Sequence, residues 1–231
     1  MILAFGEVML RLAPEGHLRF GQAIPGRLVA TSGGGEANVC ASLAMFGRAV
    51  RYLTALPTHA LAEGIVQDLR SVGVCTRHIL RTDRGRLGVY FLETGANQRS
   101  SVVIYDRADS AVSLAAPDEY DLPAALDGVT WLHVTGITPA ISEDACRTNL
   151  EVARRAKQAG ATVSCDLNFR KKLWRWRPGT EPRDLARECM AELLPLVDVV
   201  IGNEEDASDV LGIEAEGTDV EGGRINAGAY E

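Results

Sequence analysis

Short apolar runs of strand length alternate with segments of helical periodicity along most of this chain, and that alternation leaves few architectures open. Residues 2–6 read as a buried strand, and the alternating residues 8–12 as a strand with one wetter face. A glycine-rich turn, Ser32-Gly33-Gly34-Gly35-Glu36-Ala37-Asn38, leads into a helix predicted over 39–47 and ended by Gly47. A strand at 51–56 and an amphipathic helix over about 60–72, with Leu61, Ile65, Val66 and Leu69 on one face, complete a second unit. The pattern returns with strands at 131–135, 162–167 and 197–201 and helices at 142–159, 183–196 and 204–211, the last closed by Gly212. Strands joined through helices pair in parallel with helices on both faces, and ligands sit beyond the carboxyl ends of those strands. One stretch breaks the rule. Residues 87–92 and 101–105 are strand-like with only a polar turn between them, which makes a hairpin. Together with residues from about 8–30 it reads as a small β-sheet lid, its second half spanning about 85–107. The expected fold class is α/β, a three-layer sandwich carrying that lid, over residues 1–231. The tail after residue 213 is polar and glycine-rich, with no recognisable strand up to Glu231.

Composition narrows the partners. A net charge of −7 argues against nucleic acid or an anionic membrane, because phosphate surfaces want clustered Lys and Arg. Five scattered cysteines without C-x-x-C spacing indicate neither zinc nor a disulfide framework, and point to a reducing cytoplasm. No apolar run approaches the ~18 residues of a membrane span, and the first residues lack a basic leader, so neither secretion nor insertion is expected. His17, His59, His78 and His133 form no H-x-x-x-H pair, which gives a metal site or a Ser-His-Asp hydrolase little support. His133, in an apolar strand, reads as a core residue.

Four constellations fall where ligands are expected. Gly33, Gly34 and Gly35 with Asn38 let a ligand approach the backbone, although a plain turn before a helix explains them as well, and they match neither G-x-G-x-x-G nor a P-loop. Tyr90 on one lid strand and Tyr105-Asp106-Arg107 on the other offer two phenols and a guanidinium to a polar anion; a surface hairpin with half-buried aromatics is the plainer reading. Asp166-Leu167-Asn168-Phe169-Arg170-Lys171-Lys172 ends an apolar strand, where Arg170 suits a carboxylate or a transferring phosphate, or simply a solvated loop. Gly202-Asn203-Glu204-Glu205-Asp206 supplies an amide and carboxylates that fit hydrated Mg²⁺ with a nucleotide, or ordinary helix capping.

Taken in order, Gly6-Glu7-Val8-Met9-Leu10-Arg11-Leu12, the Gly33–Asn38 stretch, Tyr105-Asp106-Arg107, Thr135-Gly136-Ile137, Asp166 to Arg170 and Asn203 to Asp206 resemble the ribokinase-like carbohydrate kinases, and within them the kinases of 2-keto-3-deoxygluconate. The resemblance runs from Met1 to about Gly223. It implies a ribokinase-like fold and MgATP-dependent phosphorylation of a sugar acid on its 6-hydroxyl. By motif match, Gly33, Gly34, Asn38, Tyr90, Tyr105, Arg107 and Arg170 would hold the sugar acid, with Arg107 and Arg170 on its carboxylate. Asn168, Asn203 and Asp206 would lie on the ATP side, and the metal ligands stay unassigned. A homo-oligomer formed through the lid is expected.

Two departures qualify the resemblance. Asp206 stands where the family's Asn-x-x-Glu signature has Glu, which shortens its reach. The Gly-x-Gly-Asp element, which in relatives carries the anion hole and the catalytic base, is not among these 231 residues. No catalytic residue is therefore named within the chain, and the base is expected beyond Glu231. A chain incomplete at its C-terminus follows as an expectation, with negligible activity and poor solubility on its own. The alternatives are a kinase of the same family for fructose, ribose or a nucleoside, and a non-catalytic sugar-acid binding module.

Overall fold

A computed structural model describes residues 1–213. The tail read as strand-free up to Glu231, and the catalytic base expected beyond Glu231, lie outside the described residues. The main sheet holds β1 (Ile2–Phe5), β4 (Val50–Leu53), β9 (Trp131–Thr135), β10 (Thr162–Asp166) and β11 (Val199–Ile201), ordered β11-β10-β9-β1-β4 and parallel throughout. Strict alternation along β1 explains the three layers. Leu3 and Phe5 point to one face, where they meet Val152, Ala153 and Ala156 of one helix and Leu185 and Met190 of another. Ala4 points to the other face, with Tyr52, Cys40, Ile65 and Val66. The covering helices are α1 (Gly35–Met45) and α2 (Ala60–Ser71) on the second face and α3 (Glu143–Gln158) and α4 (Pro182–Leu193) on the first. Ser142 caps α3 by accepting from the Ala145 N–H at 3.0 Å, with Glu143 and Asp144 in the first turn and Arg155 and Lys157 in the last, matching the helix dipole.

A second sheet is built from β2 (Met9–Ala13), β3 (Val29–Gly33), β7 (Val89–Glu93) and β8 (Val102–Asp106), ordered β3-β2-β7-β8. The β2–β3 and β7–β8 pairs are antiparallel, while β2 runs parallel to β7. A two-stranded parallel pair, β5 (Ala55–Pro57) with β6 (Leu80–Thr82), lies beside β4 and was not foreseen from the sequence.

Several boundaries differ from the sequence reading, each for a local reason. The glycine stretch is not a loop: β3 runs to Gly33 and α1 begins at Gly35, leaving only Gly34 between them. The strand predicted at 51–56 is interrupted at Thr54 into β4 and β5. Helix α4 stops at Leu193 because Pro195 has no N–H to continue it, and a 3₁₀ turn over Leu194–Leu196 follows. The helix predicted at 204–211 is one α turn, Glu204–Asp206, followed by a π-type turn that Gly212 ends with φ 68°.

Candidate active site

The carboxyl ends of β1 and β9 meet the second sheet through Glu7 and Glu36, and two of the four places where the chain passes to or from that sheet are very short. One is Gly6-Glu7-Val8, from β1 to β2; the other is Gly34, from β3 to α1. Both are tightly packed. A β-carbon on Gly34 would strike the Glu7 carbonyl and lie 3.2 Å from Val8 Cα, and one on Gly6 would strike the Glu36 carboxyl. Glycine is required here for close approach of backbone to backbone rather than for an unusual φ.

Register identifies the inner face. Arg11 is directly opposite both Thr31 and Tyr90, and Tyr90 is opposite Tyr105, so these four side chains form one row across the sheet. The Tyr90 and Tyr105 rings are 5.9 Å apart, and the Tyr90 hydroxyl covers Gly33 so closely that a side chain there would collide. Burial pushes the Tyr90 phenol up, against the opposing pull of Arg11. Two residues beyond Tyr105, Arg107 leaves β8 on the same face, stacks 5.7 Å from the Tyr105 ring centre and ion-pairs with Glu7. Both partners are enclosed, with side-chain exposures of 9% and 3%. Arg107 Nε, Arg11 Nε and Glu7 Oε1 are buried with no hydrogen-bond partner among the described residues.

Below the row, Glu36 in the first turn of α1 is 1% exposed and accepts from the hydroxyls of Thr135 (2.7 Å) and Thr138 (2.8 Å). Burial raises its acid above the usual carboxylate range, and the two hydroxyls only partly oppose this. The carboxyl thereby fastens α1 to the end of β9 and to the helical turn Thr138–Ile141. Asn38, on the same turn of α1, is exposed.

At the other side of the strand ends, Asn168 takes φ 38° and donates to Asp166 Oδ2 at 3.3 Å. The Asp166 acid is raised, first by burial and then by the charge of Asp206. Arg170 is exposed, donates to its neighbour's carbonyl at 3.1 Å and joins no ion pair among the described residues. Asp206 turns inward. Its Oδ1 accepts from the Phe169 N–H at 2.8 Å, its Oδ2 from the Asn203 N–H at 3.3 Å, and its own N–H donates to Asn203 Oδ1 at 2.8 Å. This reciprocal cap locks the β11 loop to the β10 loop. It also commits the side chains of Asn203 and Asp206, both expected on the ATP side, to holding the loops. Among the described residues no group of three His, Cys, Asp or Glu side chains is arranged to hold a metal.

The structure thus gathers Gly33, Gly34, Tyr90, Tyr105 and Arg107 on one side of the strand ends, and Asn168, Arg170, Asn203 and Asp206 on the loops of the other. Sequence reasoning did not single out Glu7, Arg11 or Glu36. Their signals were a carboxylate directly after a buried strand, a cation inside an apolar strand, and an acid between apolar helix residues.

Comparison with known proteins follows the same lines. The pattern of the pfkB family carbohydrate kinases matches residues 1–224. A 2-dehydro-3-deoxygalactonokinase of Haloferax volcanii is 36% identical over 215 residues, covering 93% of this chain and 64% of its own. The crystal structure of a 2-dehydro-3-deoxygluconokinase of Thermotoga maritima superposes with a TM-score of 0.89 at 41% identity, over 99% of this chain and 65% of that one. A fructokinase of Xylella fastidiosa with bound ATP reaches a TM-score of 0.76 at 25% identity, over 92% and 62%. The chain therefore spans a little under two thirds of the length of each of these proteins.

Proposed function

This chain belongs to the pfkB family of carbohydrate kinases, and from that premise we propose that the whole protein transfers the γ-phosphoryl group of ATP to the 6-hydroxyl of a 2-keto-3-deoxy sugar acid, 2-keto-3-deoxygluconate above its relatives. One observation carries the reading. Arg107 Nε and Glu7 Oε1, an unsatisfied donor and an unsatisfied acceptor, are buried side by side where the two sheets meet. Sugar hydroxyls can meet both atoms, but a carboxylate meets the guanidinium through a charge-assisted bond about twice as strong as a neutral one, which favours an acidic sugar. In an acidic protein, Arg107 and Arg170 would clamp the carboxylate from opposite sides, with Arg11 and the two tyrosines lining the wall between them. Gly33 and Gly34 then admit the sugar against the backbone.

On the donor side, ATP fits the exposed loops that carry Asn168 and Asn203. Asp206 accepts one backbone N–H on each carboxylate oxygen, so its first part is to hold these loops, with its remaining lone pairs toward the ATP side. Mg²⁺ would be bound mainly by phosphate oxygens and water, with Asp166 as the carboxylate the strand ends offer, and it would offset charge on the transferring phosphoryl group. The raised acid of Asp166 beside Asp206 fits a place where a cation relieves repulsion. The base that takes the hydroxyl proton would come from sequence beyond Glu231. The free cysteines fit a reducing cytoplasm.

The test is a substrate panel on the full-length protein, following ADP release with 2-keto-3-deoxygluconate, its C4 epimer, fructose, ribose and a nucleoside. The sugar acids should lead in kcat/KM by at least about a hundredfold, the discrimination available when a site's charge-assisted bonds to a carboxylate go unmade. Equal turnover of fructose would overturn the assignment. The 231-residue polypeptide alone, in which no Gly-x-Gly-Asp sequence occurs, should bind the sugar acid and transfer negligible phosphate. Turnover at the ~1–100 s⁻¹ of ordinary kinases would refute that, and with it the expectation of a base beyond Glu231.

A further inference from the structure

At the β4 edge of the main sheet, the edge opposite β11, a cleft of about 510 Å³ opens between the last turns of α2 and the segment leading into β6. Val66, Val74 and Ile79 form an apolar floor, and Arg70, Arg77 and Arg81 stand around it. The sequence concentrates cations here, with five arginines from Arg70 to Arg86 against one acid, Asp83. Two of the five are committed outside the cleft, Arg84 to Glu119 and Arg86 to Asp106.

Two of the three on the cleft share one carboxylate. Glu63 lies 3.1 Å from Arg81 Nη1 and 3.8 Å from Arg70 Nη1, while Arg77 joins no ion pair among the described residues. Two of the guanidinium groups are also fixed in position: Arg81 donates to the Pro57 carbonyl at 3.1 Å and Arg70 Nε to Thr76 Oγ1 at 2.7 Å. Arg81 Nε is buried without an acceptor among the described residues. The neighbouring His78 imidazole is pushed below its ordinary value, first by burial and then by the charges of Arg51 and Arg77, against the opposing pull of Asp121. Three guanidinium groups against one carboxylate leave a surplus of two positive charges in a concave site.

We propose that this cleft is a second ligand site, separate from the strand ends, that binds a small phosphate ester. The charge matches, because a phosphate monoester carries roughly −1.5 to −2 at neutral pH, whereas a single carboxylate would neutralise only half the surplus. The geometry matches too, because the exposed Arg77 fork can hold phosphate oxygens through parallel hydrogen bonds, with Arg70 and Arg81 adding charge, and the apolar floor takes the ester's carbon skeleton. The inference does not depend on the proposed reaction, since none of these residues belongs to the site at the strand ends.

The experiment is a calorimetric titration of the full-length protein with glycerol 3-phosphate, with acetate as the carboxylate control. Saturable binding of glycerol 3-phosphate is expected, weakened at least about tenfold by Arg77→Glu, the loss of one charge-assisted contact with added repulsion. Arg77 is exposed, so this variant should fold. Arg170→Ala should leave the binding unchanged. Three results would each overturn the proposal: no saturation in the unaltered protein, binding kept by Arg77→Glu but lost in Arg170→Ala, or acetate binding as tightly as the phosphate ester.

Discussion

Glu36 shows how one enclosed acid couples folding to pH. Its carboxyl keeps a proton in the folded protein at pH values where the unfolded chain has already released it, since burial raises it above the ordinary range. The folded state then binds more protons, so this group's contribution to stability falls as pH rises from the ordinary carboxylate range through the raised one. Urea midpoints of Glu36→Gln and the unaltered protein should therefore differ by an amount that changes with pH between about 4 and 8, in favour of the variant at the upper end. A constant offset would show that the acid is not held protonated. The Arg107–Glu7 pair makes a different prediction. Arg107→Met strands a buried carboxylate and should cost about 3–5 kcal/mol, and adding Glu7→Gln should recover much of that without restoring sugar-acid binding. Binding by the stable double variant would remove Arg107 from the substrate site.

The strand and helix periods were visible in the sequence because β1 is a continuous apolar run and Leu132, Val134, Val163 and Cys165 alternate with more polar residues along β9 and β10, while α2 and α3 show one apolar stripe each. The order of the main sheet was not visible, because parallel strands buried on both faces carry little to distinguish their neighbours. The glycine stretch misled for a related reason. Glycines usually punctuate, and only the contacts of Gly34 with Glu7 and Val8 show that here they permit packing at a crossing. At the site, Arg170 and Asn168 could be found by their place after a strand, whereas Asp206 could not be told from a metal group, since an acid in a first helical turn serves either end. The cap that joins the β10 and β11 loops gives the means to decide. Asp206→Ala keeps the Asn203 cap but strands the Asn203 and Phe169 N–H groups, and should destabilise by about 1–3 kcal/mol, yet leave the Mg²⁺ concentration for half-maximal activity unchanged in the full-length protein. A large rise in that concentration without lost stability would make Asp206 a metal contact.

On the scale of the whole molecule, the second sheet has two unlike faces. The inner one holds Arg11, Tyr90, Tyr105 and Arg107; the same register turns Leu10, Leu12, Val89, Phe91, Val102 and Ile104 outward. Ile104 is 53% exposed and Val102 45%, in a strand with little among the described residues to cover it. We expect two copies to pair through this face, and Ile104→Lys should halve the mass seen by light scattering if they do. An unchanged mass would place any assembly elsewhere. The crossing residues Gly6, Glu7, Val8 and Gly34 lie between the strand ends and the inner face, so a molecule bound there touches the close-packed joints through which one sheet is connected to the other. Ligand occupancy should thus be felt through the second sheet, as slower amide deuteration beyond the contacting residues, in β3 as well as in β8.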